Sequence, residues 1–312
     1  MYETRRLPWD DDTWAEIQAA VHAETRRVAV AQKFLPLCGP LPDALTVPSD
    51  SILRDDAGRL TVREATVAPL VEIWSEFALT PQQVAEESHL HTARTLAIRG
   101  ANHVARAQDA LIVQGDAAVD AEPLLAAGVV RLRSGPAGRG LLGNSGTDAP
   151  PSIPVEPGSG VAGGGASSGS GERIPVAVAE AYDRLQDQGH DGPYALVLPP
   201  GAYGDAFTPG DGTLVLPADR IQTLVTAGFY GSSSVPPSSG LFVSLGGDSM
   251  DLVIGRPAAA EFLFEDEDGK SRFRVRSRFT LRLKDPTAVI RLDFQSSVDA
   301  EKPTTNRRRR AA

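Results

Sequence analysis

The 312-residue chain has a single cysteine, Cys38, so it cannot form an intrachain disulfide. This cysteine usage suits a reducing cytoplasm. No stretch approaches the roughly 18 apolar residues of a membrane helix, so no membrane partner is expected. Met1 to Asp12 is charged and lacks the apolar centre of a secretory leader, so none is expected. Positive charge is scarce: 31 Lys and Arg face 40 Asp and Glu, a net charge of −9. Binding phosphates needs a basic face, so this balance argues against nucleic acid as the main partner.

Reaction motifs are equally thin. Gly165-Ala166-Ser167-Ser168-Gly169 has the spacing of a nucleophile elbow, but that motif needs a strand before it and a helix after it. Here it sits in a Gly/Ser tract and reads as linker. His89 and His91 lie two apart on a predicted helix and so do not share a face, and His103 is farther along. No second cysteine or tight carboxylate cluster completes a set of ligands, so no metal is expected. Gly246-Gly247-Asp248 with Asp251 lacks the ligand spacing of a calcium loop. It reads as a tight turn whose Asp accepts backbone hydrogen bonds. Neither a phosphate loop nor any cofactor is expected. Arg307 to Arg310 reads as a solvated tail.

The remaining sequence is a soluble α+β pattern. Trp14, Ile17, Val21 and Val28 recur at helical spacing, with Asp12 or Thr13 as N-cap and Thr13 with Glu16 as a capping box; Pro36 ends this helix. Gly39 to Asp50 is Pro-rich and reads as an extended arm. Residues 51–79 alternate, with Asp55-Asp56-Ala57-Gly58 as a turn, and predict a long hairpin followed by a strand. A projecting hairpin has two edges and little core, so it needs a partner surface. Residues 81–114 predict a long helix ending at Gly115, with a stripe of small residues through Ala93, Ala97, Gly100, Val104 and Ala107 on which something packs closely. Residues 144–172 are rich in Gly, Pro and Ser and read as a flexible segment. A helix at Pro175–Gln188 with Gly189 as cap, a buried strand at Tyr194–Leu198, a helix at Ala218–Ala227 and strands at Arg272–Leu283 and Ala288–Phe294 complete the pattern.

Several of these pieces, in this order, resemble the encapsulin family, specifically its family 1, linocin-type shell proteins. They are Gly39-Pro40-Leu41, Pro69-Leu70-Val71-Glu72 with Phe77, Asp109-Ala110-Leu111-Ile112 with Gly115, Gly192-Pro193-Tyr194-Ala195-Leu196, Gly246-Gly247-Asp248 with Leu252 and Gly255, and Phe279-Thr280-Leu281-Arg282 with Pro286. The ordered set spans residues 5–292. The resemblance implies the Hong Kong 97-like fold of tailed-phage major capsid proteins. It divides the chain into an N-terminal helix and arm (1–50), an extended-loop hairpin (51–72), a peripheral domain with the spine helix (73–122 and 236–294), an axial domain (123–235) and a basic tail (295–312).

The resemblance further implies a homo-oligomeric icosahedral shell, in multiples of sixty subunits, around a cargo enzyme such as a peroxidase or ferritin-like protein. A cargo peptide would dock near Ile17, Val21, Val28 and Ile290, and Thr208-Pro209-Gly210-Asp211-Gly212-Thr213 would line the five-fold pore. Pro81-Gln82-Gln83 stands where some members carry a flavin-binding aromatic, which speaks against flavin. Arg256-Pro257 replaces the family's Gln-Asp. The alternatives are a phage or prophage capsid protein packaging DNA, against which the net acidity speaks, and a peptidase or bacteriocin. For the latter the sequence offers no nucleophile, base and orienting group.

Overall fold

The structure, a computed structural model, describes residues 9–54, 59–133, 138–143, 149–156, 171–209 and 214–294. In chain order, α1 (Asp11–Val28) and α2 (Ala31–Phe34) precede β1 (Leu37–Cys38), β2 (Thr46–Arg54), β3 (Leu60–Pro69) and β4 (Val71–Leu79). Then come α3 (Pro81–Ala85), α4 (Glu87–Leu90), the spine helix α5 (Thr92–Gln114), α6 (Ala118–Ala121), α7 (Pro123–Ala126) and β5 (Arg131–Arg133). A second region holds β6 (Ser152–Val155), α8 (Arg173–Asp187), β7 (Tyr194–Leu198), α9 (Pro200–Ala206), α10 (Pro217–Gln222), β8 (Gly228–Gly231) and β9 (Ser239–Ser244). The chain returns through β10 (Met250–Glu265) and β11 (Ser271–Leu283) and ends the described part with β12 (Val289–Phe294).

The first sheet runs β1-β10-β11-β4-β5. Along β11 the pleat sorts residues cleanly: Phe273, Val275, Ser277 and Phe279 are buried, while Arg272, Arg274, Arg276 and Arg278 stand on the other face. Helix α5 lies on the buried face, and its small-residue stripe is what lets it approach. A Cβ at Gly100 would stand 3.0 Å from the Val275 side chain. The second sheet runs β6-β12-β9-β7-β8. One face packs under α8 and α10 through Leu196, Leu198, Phe242, Ile290 and Leu292. The other face adds Ala195, Val197, Leu241 and Val243 to the core of the first sheet. Covered on both faces, β7 and β9 are buried throughout.

The hairpin β2–β3 is a two-stranded sheet by itself. Its base is packed, where Val47 and Ala68 meet Leu70 and Val253. Farther out, Val62 is 57% and Val67 62% exposed.

Several expectations shift. The N-cap of α1 is Asp10, two residues before Asp12 and three before Thr13, because its carboxylate accepts the Thr13 N–H at 2.8 Å. The first helix stops at Val28 instead of running to Pro36. The hairpin begins at Thr46, so half of the arm is strand; Pro48 fits because β2 is an edge. The turn at 55–58 lies outside the described residues, as do most of segment 144–172 and the tail from residue 295. The helix predicted over 81–114 is broken at Glu86 and at His91, which adopts φ 49°. Helix α10 ends at Gln222, short of Ala227. The length of β10 was hidden by Gly255-Arg256-Pro257, which two register shifts absorb. Strands β9 and β12, expected in the peripheral domain, pair with each other and join β7 in the second sheet.

Candidate functional site

Helix α1 is the nearest thing to a docking element. Its apolar face is used internally: Ile17 is 2% exposed and Val21 fully buried in the first core. Val28 is half-buried at the helix end. Ile290 is fully buried in the second core, so it is not brought together with the α1 residues. Among the residues α1 turns outward, Glu16, Ala19, Ala20 and Ala23 share one face over two helical turns. With His91 and Arg94 they line an open groove of about 540 Å³. An adjoining hollow of about 260 Å³ shares Glu16, His91 and Arg94 and adds Asp12 and Thr13. Sequence reasoning missed these residues because it looked for large apolar side chains. The signal was the alanine spacing next to an acidic first turn.

The far wall of the groove exists because α5 starts where it does. His91, in a left-handed conformation, gives that helix no side-chain cap. Glu87, 2% exposed, takes over: its carboxylate accepts the N–H groups of Ala93 at 2.7 Å and Arg94 at 3.0 Å. At the other end of α1, the buried Asp109 carboxylate accepts the N–H groups of Val30 at 2.6 Å and Ala31 at 3.0 Å. Burial pushes Asp109 up to about 7, against the opposing pull of those N–H groups and of Lys33.

Of the expected pore loop, Thr208 and Pro209 are described and follow α9, while Gly210, Asp211, Gly212 and Thr213 lie outside the described residues. The flanks are apolar and open: Phe207 is 41%, Leu214 97% and Val215 52% exposed.

The motifs with possible chemistry resolve into structure. Gly246–Asp248 is a tight 3-10 turn between β9 and β10. Its acids are ion-paired and do not take the backbone hydrogen bonds expected of them. Asp251 holds Arg282 through two bonds, 2.7 and 2.5 Å, and Lys284 bridges Asp248 at 2.6 Å and Asp251 at 3.2 Å. Gly269-Lys270-Ser271 matches the end of a phosphate loop, a match that sequence reading passed over. Phe264 stands where the first glycine is required, and strand β11 follows where a helix is required. On α5, burial and then Arg106 and Arg99 hold the half-buried His103 below its ordinary pKa. The elbow-like Gly165–Gly169 lies outside the described residues. Among the described residues no group of three or more His, Cys, Asp or Glu could hold a metal, and no helix is long and apolar enough to cross a membrane.

A spine helix on a long-stranded sheet, a second sheet with its own helices and a separate two-stranded hairpin define the subunit fold of capsid-type shells. The virus-like particle of Pyrococcus furiosus shares it, with a TM-score of 0.61 over 90% of this chain and 99% of that one at 13% identity. The capsid of the empty GTA particle gives a TM-score of 0.56 over 86% and 90% at 12% identity. The chain belongs to the encapsulin shell family described as encapsulating proteins for peroxidase, whose pattern matches residues 3–133 and 162–280. It is 29% identical to the type 1 encapsulin shell protein EncA of Myxococcus xanthus (strain DK1622), over 92% of this chain and 94% of that protein. It is 26% identical to the diheme-cytochrome-encapsulin shell fusion protein of Kuenenia stuttgartiensis, over 90% and 73%. The chain is thus a structural shell protein of the encapsulin type.

Proposed function

We propose that copies of this chain close into an icosahedral shell, in multiples of sixty, around a cargo enzyme in the cytoplasm. The observation that carries this is the β2–β3 hairpin, which is a two-stranded sheet by itself and leaves Val62 and Val67 exposed. Laid over a neighbouring subunit it buries Val62 and Val67, and such an obligate contact should exceed about 2,000 Å² in total. Closed symmetry then terminates growth. The cargo is a peroxidase or ferritin-like enzyme whose targeting peptide docks beside α1. There Ile17 lines the adjoining hollow, and Val21 and Val28 support α1 from within; Ile290, in the other core, takes no part. The loop 208–213 rims the five-fold opening, where a ring of Asp211 carboxylates favours cations.

Negative-stain microscopy and a sizing column test the assembly. Uniform hollow shells with co-purified protein support the reading. A monomer or dimer overturns it, and shells filled with DNA favour a phage-type capsid.

A further inference from the structure

Two chain crossings between the sheets lie side by side. The crossing from β9 to β10 passes through Ser249, and the crossing from β11 to β12 passes through the 3-10 turn Pro286–Ala288. The Lys284 and Asp285 N–H groups both donate to the Ser249 carbonyl at 2.9 Å. The loop after α8 sits against both crossings. The Ser244 hydroxyl donates to the Asp191 carbonyl at 2.6 Å, the Leu245 N–H donates to the Pro193 carbonyl at 2.9 Å, and the His190 ring reaches Thr287.

The hydrogen bonds there have one consistent direction. Thr287 Oγ1 lies 2.6 Å from Asp285 Oδ1, and an ionised carboxylate only accepts, so the hydroxyl proton points to Asp285. The same Oγ1 lies 2.7 Å from His190 Nε2 and, with its proton already given, accepts there. Nε2 of His190 therefore carries a hydrogen, and Nδ1 of the neutral ring is bare. Among the described residues nothing bonds to Nδ1, so a proton added there breaks no existing bond. It makes the ring a cation whose Nε2 stands 3.8 Å from Asp285 Oδ2, with the two side chains only 12% and 23% exposed.

We propose that His190 is a proton-operated clamp: once charged, it pairs with Asp285 and fastens the loop after α8 to the junction of the two sheets. The surrounding charges leave it this partner. Asp187 at the end of α8 and Asp191 on the loop are exposed and carry the same sign as Asp285, so they do not oppose the attraction. The nearby cations are already held. Lys284 is held by Asp248 and Asp251, Arg282 by Asp251, and Arg184 of α8 by Glu180 and the Ser152 carbonyl. Tyr194, whose hydroxyl donates to the His190 carbonyl at 2.6 Å, stays neutral because burial pushes its pKa above the ordinary value. The fastening is present where the imidazole is charged and is lost as pH rises. Mild acid thus tightens the place where each copy's second sheet is joined to its first. All the groups belong to one chain, so the inference stands apart from how the copies close into a shell.

The test compares the melting temperature of the full chain with that of His190→Gln. The glutamine amide can still donate to Thr287 but cannot take a charge. The gap in favour of wild type should be wider at about pH 5.5 than at about pH 8, by about 2–4 °C. Asp109 and the other histidines titrate alike in both proteins and drop out of the gap. On an Asp285→Asn background, where the amide oxygen can still cap the turn at Thr287, the widening should vanish. A gap that does not widen in acid overturns the clamp, and a widening that survives Asp285→Asn overturns the pairing. Hydrogen exchange at residues 285–288 decides the matter even if His190→Gln fails to fold. Wild type should be better protected than Asp285→Asn by a margin that shrinks from about pH 5.5 to about pH 8. A margin that stays constant overturns the proposal.

Discussion

Gln18 meets Ala260 as a neighbouring strand would. Its side-chain Nε2 donates to the Ala260 carbonyl at 2.6 Å, and its Oε1 accepts the Ala260 N–H at 3.1 Å. One residue of α1 thereby closes part of the open edge of β10. Nearby, β1 covers Leu252 and Val253, the Leu41 N–H reaches the Ile254 carbonyl, and Pro257 has no N–H to satisfy. The helix that forms the groove is therefore anchored by strand-type pairing as well as by its apolar face.

Gln18→Leu should uncover that pair. The shorter apolar side chain keeps most of the packing but leaves both groups of the buried Ala260 without partners, a cost of about 1–3 kcal/mol. Hydrogen exchange should quicken at Ala260 and its neighbours, and the melting temperature should fall. Unchanged exchange at Ala260 would show that water replaces the glutamine at no cost.

Asp109 ties the break between α1 and α2 to the spine helix, and its titration sets a pH dependence. Its pKa is raised from 3.8 to about 7 on folding. The native state therefore holds the proton more tightly than the unfolded chain. The stability this group contributes is complete below about pH 4 and is lost as pH rises through about 7. Asp109→Asn cannot titrate, so the melting-temperature gap between wild type and variant should be wider at pH 5 than at pH 8. A gap that widens with pH would mean the carboxylate is ionised and stabilising when buried.

Gly115 and Gly128 both have positive φ, 62° and 68°, yet alanine should affect them differently. A Cβ at Gly115 would lie 2.1 Å from the Gly138 carbonyl oxygen and 2.5 Å from the Arg139 backbone, where segment 138–142 closes over the end of α5. Around Gly128 there is nothing within 4 Å. Gly128→Ala should cost about 1–2 kcal/mol of left-handed strain alone. Gly115→Ala adds a backbone collision and should sharply reduce the yield of soluble shells. Equal yields would mean that segment 138–142 can move away.

Much of this architecture was legible because local pattern and tertiary packing agree there. Trp14, Ile17 and Val21 mark a helix, the alternation of β11 marks a strand, and the stripe through Gly100 announced close packing that β11 fulfils. The misses come from tertiary contacts that override local signals. Pro36 looked like the end of the first helix, but Asp109, distant in sequence, takes the N–H groups that would have continued it. Residues 250–265 looked broken at Gly255 and Pro257, but bulges keep one strand running. In the candidate site, Ile17 was legible as part of α1. The alanine floor was not, because a groove is made by the absence of large side chains, and Arg94 reaches it only through the turn at His91.

Glu261 gathers three arginines on the uncovered face of the first sheet: Arg256 at 2.8 Å, Arg274 at 3.1 Å and Arg276 at 2.6 Å. Burial alone would raise its pKa, but hydrogen bonds and charge from Arg276 and Arg274 outweigh that and hold it below its ordinary value. The native state therefore favours the ionised form. Its contribution is present above the ordinary glutamate range and is lost as pH falls below it. Glu261→Gln should lower stability at pH 7 by about 1–3 kcal/mol, leaving arginine charges facing one another. As pH falls through the lowered folded pKa the two proteins should converge. A difference that persists in acid would show that shape, not charge, is what Glu261 supplies.

Asp211 supplies the sharpest test of the proposed opening. A ring of carboxylates at a symmetry axis concentrates cations and repels anions, and a neutral ring of the same shape does neither. Asp211→Asn should leave shell diameter unchanged, because the substitution keeps the side chain's size and the sequence between Pro209 and Leu214 is short and polar. Entry can be followed by quenching of an enclosed fluorescent protein. With copper ions in the bath, quenching should slow several-fold in the variant, and with iodide it should quicken. If both rates stay as they were, ions enter elsewhere and the loop is only a rim. If copper slows but iodide does not change, the carboxylates act as a cation relay and not as an electrostatic barrier.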